Sequence, residues 1–96
     1  MGIDELIGQN RQEILKLAAK YGASHVRVFG SVANGTADEN SDIDLLVDLE
    51  EGRSLFDLGG MLMDLQDLLQ RKVDIVTDKA LHWYIRDRIL KEAEPL

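Results

Sequence analysis

The chain has no cysteine, which excludes disulfide staples and thiolate zinc sites. Its single proline, Pro95, stands one residue from the end, so no proline breaks a helix or strand earlier. No apolar run approaches the roughly 20 residues needed to span a bilayer. Met1 to Asn10 carries two acids where a secretory leader would place basic and then apolar residues. Gly2 follows Met1, but Leu6 stands where a myristoylation signal requires Ser or Thr. The expectation is a cytoplasmic protein with no membrane partner. Basic residues are scattered among carboxylates and form no stripe, and the net charge is −7. Direct nucleic-acid binding, which replaces counterions with clustered Lys and Arg, is therefore disfavoured. A cation-requiring site or a basic protein partner suits this charge better. There is no internal repeat and no low-complexity tract.

What is present is apolar residues along the whole length of a 96-residue chain, enough for one domain, 1–96, with a modest core. Leu6, Ile7, Ile14, Leu17 and Ala18 recur at helical spacing and predict a helix from Asp4, as N-cap, to Lys20, ended by Tyr21-Gly22. His25 to Phe29 reads as a strand, and Gly30 to Asn40 as a loop with a helical turn from Ser31. Asp42 to Leu49 is a second strand whose alternation fails only at Leu46. Ser54 and Asp57 resemble a capping box before the apolar ridge Leu55, Leu58, Leu62, Leu65, Leu69. Gly59-Gly60 inside that helix predicts close backbone packing. Val73 to Val76 reads as a third strand, and Asp78 as the cap of a last helix through Leu81, Ile85, Ile89 and Leu90. The fold class that follows is α/β (α+β), a small mixed sheet of three to four strands with helices packed against it.

The chemistry lies in Gly30-Ser31-Val32-Ala33-Asn34-Gly35 followed by Ser41-Asp42-Ile43-Asp44-Leu45. Asp42 and Asp44, two apart on a strand, point from one face. Carboxylates so close repel unless a cation lies between them, and hard oxygen donors suit Mg²⁺. A strand–helix–strand crossover is right-handed with parallel strands, so Asp74 in the third strand enters near the same end of the sheet. Gly30-Ser31 reaches that end if the first two strands are antiparallel. Its backbone amides and the Ser31 hydroxyl then make a phosphate cradle.

Two rival motifs fail. A Walker A loop requires Lys-Ser/Thr where Thr36-Ala37 stands. An EF-hand starting at Asp38 requires a glycine at Ile43 and a bidentate Glu at Leu49. His25 and His82 have no metal-ligand spacing to one another. Asp48 shares the face of Asp42 and Asp44 but sits at the far end of the strand, so it is expected to be solvated. Ile85 is expected in the core; Trp83 fits the core or a partner-facing patch equally.

Gly-Ser, a short spacer, Ser-Asp-Ile-Asp-Leu-Leu-Val and a later Val-Asp-Ile-Val resemble the polymerase β-type nucleotidyltransferase superfamily. The size, with the similarity running from Asp4 to Glu92, resembles its minimal nucleotidyltransferase branch, the MNT antitoxins paired with HEPN ribonuclease toxins. The resemblance implies that Gly30, Ser31 and Gly35 hold the triphosphate of ATP, and that Asp42 and Asp44 bind Mg²⁺. It implies that Asp74 completes the metal site and helps activate the acceptor, so that Asp42, Asp44 and Asp74 are the catalytic set. The acceptor it implies is a tyrosine on the HEPN toxin, silenced by AMP addition. One departure stands out: the family commonly has Ala-Arg-Gly where this chain has Ala33-Asn34-Gly35. A catalytically weak antitoxin that neutralises its toxin by binding alone is the alternative that Asn34 favours. Transfer to a free small molecule lacks an acceptor domain.

Overall fold

A computed structural model describes residues 3–38, 40–81 and 83–96, and the side chains of all of these except residues 3, 4, 83 and 84. The expected long first helix is two segments, α1 (Ile3–Gln9) and α2 (Arg11–Lys20), with Asp4 inside α1 instead of capping it. The division falls at Asn10, whose side-chain amide donates to Leu6 O at 2.8 Å. Such local side-chain bonding competes with regular helix geometry. The break is shallow, because Asn10 N still donates to Leu6 O and Ile14 N to Asn10 O. Ile7, Ile14 and Ala18 carry the buried face, and Gly22 at φ +79 turns the chain out of α2 as expected.

The sheet is built from β1 (Ala23–Phe29), β2 (Ile43–Leu49), β3 (Val73–Thr77) and β4 (Glu94–Pro95) in the order β3-β2-β1-β4. β1 and β2 are antiparallel, β2 and β3 parallel, as the sequence reading required. β1 begins earlier than His25 and carries a bulge between Ser24 and Arg27, with His25 at φ +50. β4 pairs Pro95 with Arg27 and Glu94 with Val28. Two residues are too few to show a period, so this strand was not foreseen.

Between β2 and β3 lies α4 (Leu55–Leu69), opened by the expected capping box: Ser54 Oγ accepts from Phe56 N, and the Asp57 carboxylate accepts from Ser54 N at 2.9 Å. Gly60 serves the packing expected of the glycine pair, since a Cβ there would stand 2.7 Å from the Tyr21 ring; Gly59 faces open space. Ile43, Leu45 and Val47 on β2 meet Met61, Leu65 and Leu69 of α4 and Ile14 and Ala18 of α2 in one core. Leu46, which breaks the alternation, is also fully buried, on the opposite sheet face.

After β3 a 3-10 turn (Asp78–Ala80) precedes α5 (Trp83–Glu92). Asp78 therefore does not cap the last helix. Its carboxylate accepts from Arg86 Nε and Nη2 at 2.9 and 3.2 Å, tying the turn to α5, and this guanidinium holds the Asp78 carboxyl below its usual range. Ile85 is partly buried; His82 and the burial of Trp83 lie outside the described residues.

Candidate active site

Three strands bring the singled-out residues to one end of the sheet. In register, Phe29 pairs with Asp44 across the antiparallel ladder, and Asp44 pairs with Asp74 across the parallel one. Adjacent partners in a ladder share a face, so Asp44 and Asp74 project together, with Asp42 one pleat back along the chain. Burial raises the Asp44 pKa above its ordinary value, and the charges of Asp74 and then Asp42 raise it further. The three acids are thus near enough to repel.

Phe29 leads directly into Gly30, which adopts φ +69 and ψ −142. Only glycine adopts that backbone comfortably. A second constraint coincides with it: a Cβ on Gly30 would stand 2.5 Å from Asp44 Oδ2. The turn expected at Ser31 is α3 (Ser31–Asn34), closed by Gly35 at φ +74. Thr36 N and Ala37 N both donate to Ser31 O, folding the loop back on itself. The first amides of such a turn have no acceptor within it. Asp38 N then donates to Ser41 Oγ at 2.9 Å, and Ser41 Oγ to Asp38 Oδ1 at 3.2 Å, which sets the chain on course into Asp42 and β2. Gly30, Ser31, Asp42, Asp44 and Asp74 therefore converge. Gly35 shapes the end of the turn, and Asn34 beside it is exposed.

Carboxylate oxygens are the donor type that Mg²⁺ prefers, so the residues present suit such an ion. Among the described residues no three acidic or histidine side chains are gathered into a closed ligand set. A cation held here would draw its remaining ligands from phosphate oxygens and water, as Mg²⁺ commonly does. Asp74 is the most exposed of the three and is open to an incoming group.

Asp48 turns out to be paired. Arg27 is buried, donates from Nη2 to Asp48 Oδ1 at 3.0 Å and from Nε to His25 O at 3.0 Å, and His25 Nδ1 lies 3.3 Å from Asp48 Oδ2. A Val-Arg-Val strand reads as solvent-facing at its arginine, so this pair was not anticipated. Lys72 was also missed. Its Nζ lies 3.7 Å from Asp42 Oδ2. Counting back from Asp74 along the parallel register would have found it. A separate cleft of about 400 Å³, lined by Asp48, Arg53, Asp78 and Lys79 among others, lies at the opposite end of the sheet, away from the carboxylates.

A mixed sheet with a glycine-led turn beside Asp42, Asp44 and Asp74 is the arrangement of a nucleotidyltransferase domain. The chain belongs to the nucleotidyltransferase domain family, whose model matches residues 11–96, and within it to the minimal nucleotidyltransferases. A provisionally named protein adenylyltransferase of Methanocaldococcus jannaschii is 38% identical over 87 residues, covering 91% of this chain and 94% of its own. The protein adenylyltransferase MntA of Thermococcus cleftensis is 34% identical over 90 residues, covering 94% and 88%. The solved structure of a provisionally named minimal nucleotidyltransferase is 47% identical with a TM-score of 0.88, covering 100% of this chain and 97% of its own. A toxin–antitoxin crystal structure with AMP-PNP shares the fold, with a TM-score of 0.77 at 23% identity over 90% and 71% of the two chains.

Proposed function

We propose that this protein transfers AMP from ATP to a hydroxyl of a partner protein, acting as the antitoxin of a toxin–antitoxin pair, with a tyrosine of a HEPN toxin as acceptor. The observation that carries the reading is the register that sets Asp44 and Asp74 on adjacent strands, with Gly30 directly after the third, at one sheet end. Relatives named as protein adenylyltransferases support the choice of AMP and of a protein acceptor.

In this reading Asp42 and Asp44 hold Mg²⁺, and the amides and hydroxyl of the Gly30–Ser31 turn hold the triphosphate. Bound Mg²⁺ would neutralise phosphate charge and offset the carboxylate repulsion. Asp74 accepts the hydrogen of the acceptor hydroxyl and aims its oxygen at the α-phosphorus. The new bond is tyrosyl oxygen to α-phosphorus; the bond to the β-phosphate bridging oxygen breaks, and pyrophosphate leaves with its electron pair. Net charge −7 suits a basic protein acceptor. Asn34 supports a second reading, in which the protein neutralises its toxin by binding alone, because it leaves the phosphate turn without a cation.

Mg·ATP titrations by calorimetry test the site. Asp42→Asn and Asp44→Asn should each abolish measurable Mg·ATP binding while remaining folded. Normal binding by either variant contradicts its assignment.

A further inference from the structure

We propose that Lys72 is the cation of the phosphate site: it neutralises Asp42 in the metal-free protein, and turns to the triphosphate once a metal holds Asp42. The proposal rests on the reading of the three aspartates as a metal–triphosphate site and adds to it a residue that the family motif does not include.

Four observations carry it. First, the loop from Gly30 to Ser41 contains no lysine or arginine, so the phosphate turn supplies amides but no full positive charge. A triphosphate bound there needs charge from elsewhere. Second, Ile43 N donates to Lys72 O at 3.0 Å, and this backbone bond fixes the Lys72 Cα beside the start of β2. Third, the Lys72 ammonium lies 3.7 Å from Asp42 Oδ2, with the side chains 70% and 41% exposed. That contact is too solvated to hold the fold together. The four-carbon stem is free to swing, and lysine serves phosphates as a mobile point charge. Fourth, Lys72 stands immediately before β3, two residues ahead of Asp74, so it flanks Asp42 on the β3 side while Gly30 flanks Asp44 on the β1 side. Two interstrand steps, roughly 10 Å, separate the two flanks. A triphosphate chain can bridge that span over the aspartates.

The two roles oppose one another in sign, and this makes the proposal testable. Lys72 competes with a metal for Asp42 but assists the nucleotide. Lys72→Gln should therefore bind Mn²⁺ alone, titrated by electron paramagnetic resonance, about two- to fivefold more tightly, the scale of an exposed ion pair. The same variant should bind Mg·ATP roughly tenfold more weakly in calorimetry, the scale of one charge-assisted contact. Lys72→Arg should restore Mg·ATP binding to near the wild-type value. An exposed residue with no phosphate role would shift neither titration. Unchanged or weaker Mn²⁺ binding by Lys72→Gln, or unchanged Mg·ATP binding, overturns the assignment of Lys72 while the aspartate site stands. Failure of the wild-type protein to bind Mg·ATP at all would remove both.

Discussion

Gly30→Ala is the substitution whose consequence the structure states most sharply, because two independent constraints meet at one residue. The first is conformational. At φ +69 and ψ −142 an alanine is strained whatever space surrounds it. Residues held in such regions cost about 1–3 kcal/mol. For a domain of this size each kcal/mol lowers the melting temperature by roughly 4–8 °C, so a drop on the order of 10 °C is expected. The second constraint is chemical. The added methyl would stand 2.5 Å from Asp44 Oδ2, nearly an ångström inside ordinary contact, so the carboxylate must swing away. Mg·ATP affinity should fall along with stability. Gly35→Ala separates the two effects, since Gly35 has φ +74 but nothing within 4 Å of its missing Cβ. It should cost only about 1 kcal/mol, with no comparable loss of Mg·ATP affinity. Combining Asp44→Ala with Gly30→Ala should relieve the clash and leave the backbone strain. Thermal melts in EDTA and calorimetry with Mg·ATP measure the series. The reasoning fails if Gly30→Ala melts within about 2 °C of wild type, or if Gly35→Ala impairs Mg·ATP binding as strongly.

Asp44 makes the metal-free protein pH-sensitive. Its folded pKa lies above the unfolded value, so its contribution to stability is fully present below the unfolded pKa and lost as pH rises through the folded one. Asp44→Asn in EDTA should therefore melt above wild type at neutral pH, by a margin that closes as pH falls toward 4. A variant that melts lower at neutral pH contradicts the repulsion. Arg27→Ala should cost about 2–3 kcal/mol in urea unfolding, since the buried guanidinium bridges Asp48 and the His25 carbonyl, whereas Arg27→Met should recover part of the loss through its stem. Equal losses in the two variants would show that the stem contributes nothing.

Much of this architecture is written in local patterns. The ridge from Leu58 to Leu69, the box at Ser54 and Asp57, and the Gly22 stop are short-range signals that neighbours along the chain decide; Leu55, expected to begin the ridge, is instead 83% exposed in the first turn. A strand–helix–strand crossover makes β2 and β3 parallel, so Asp74 could be placed near the same end of the sheet as Asp42 and Asp44 before any coordinates; its pairing with Asp44 needed the register. Other features depend on partners distant in sequence. Nothing near Arg27 announces that Asp48 will neutralise it in the interior. Asp78 resembles a helix cap from its neighbours, but Arg86 claims its carboxylate from the next helix. The strand at Glu94–Pro95 exists only because β1 offers a free edge. Asn10 lies between these cases: its effect is local, but the apolar spacing of Leu6, Ile7 and Ile14 runs across it and conceals the break. That the candidate site residues would cluster was legible because most of them lie in one loop and the strand after it. Lys72 required the interstrand register.

AMP transfer to a partner protein can be followed in a single reaction. The purified protein, Mg²⁺ and ATP labelled at the α-phosphate would be mixed with the proposed HEPN toxin, and both label and pyrophosphate followed. Label is expected on a tyrosine of the toxin, with stoichiometric pyrophosphate. The label should be lost with Asp74→Asn while Mg·ATP still binds. A stable, neutralised complex that carries no label would contradict AMP transfer in favour of antitoxin action by binding alone.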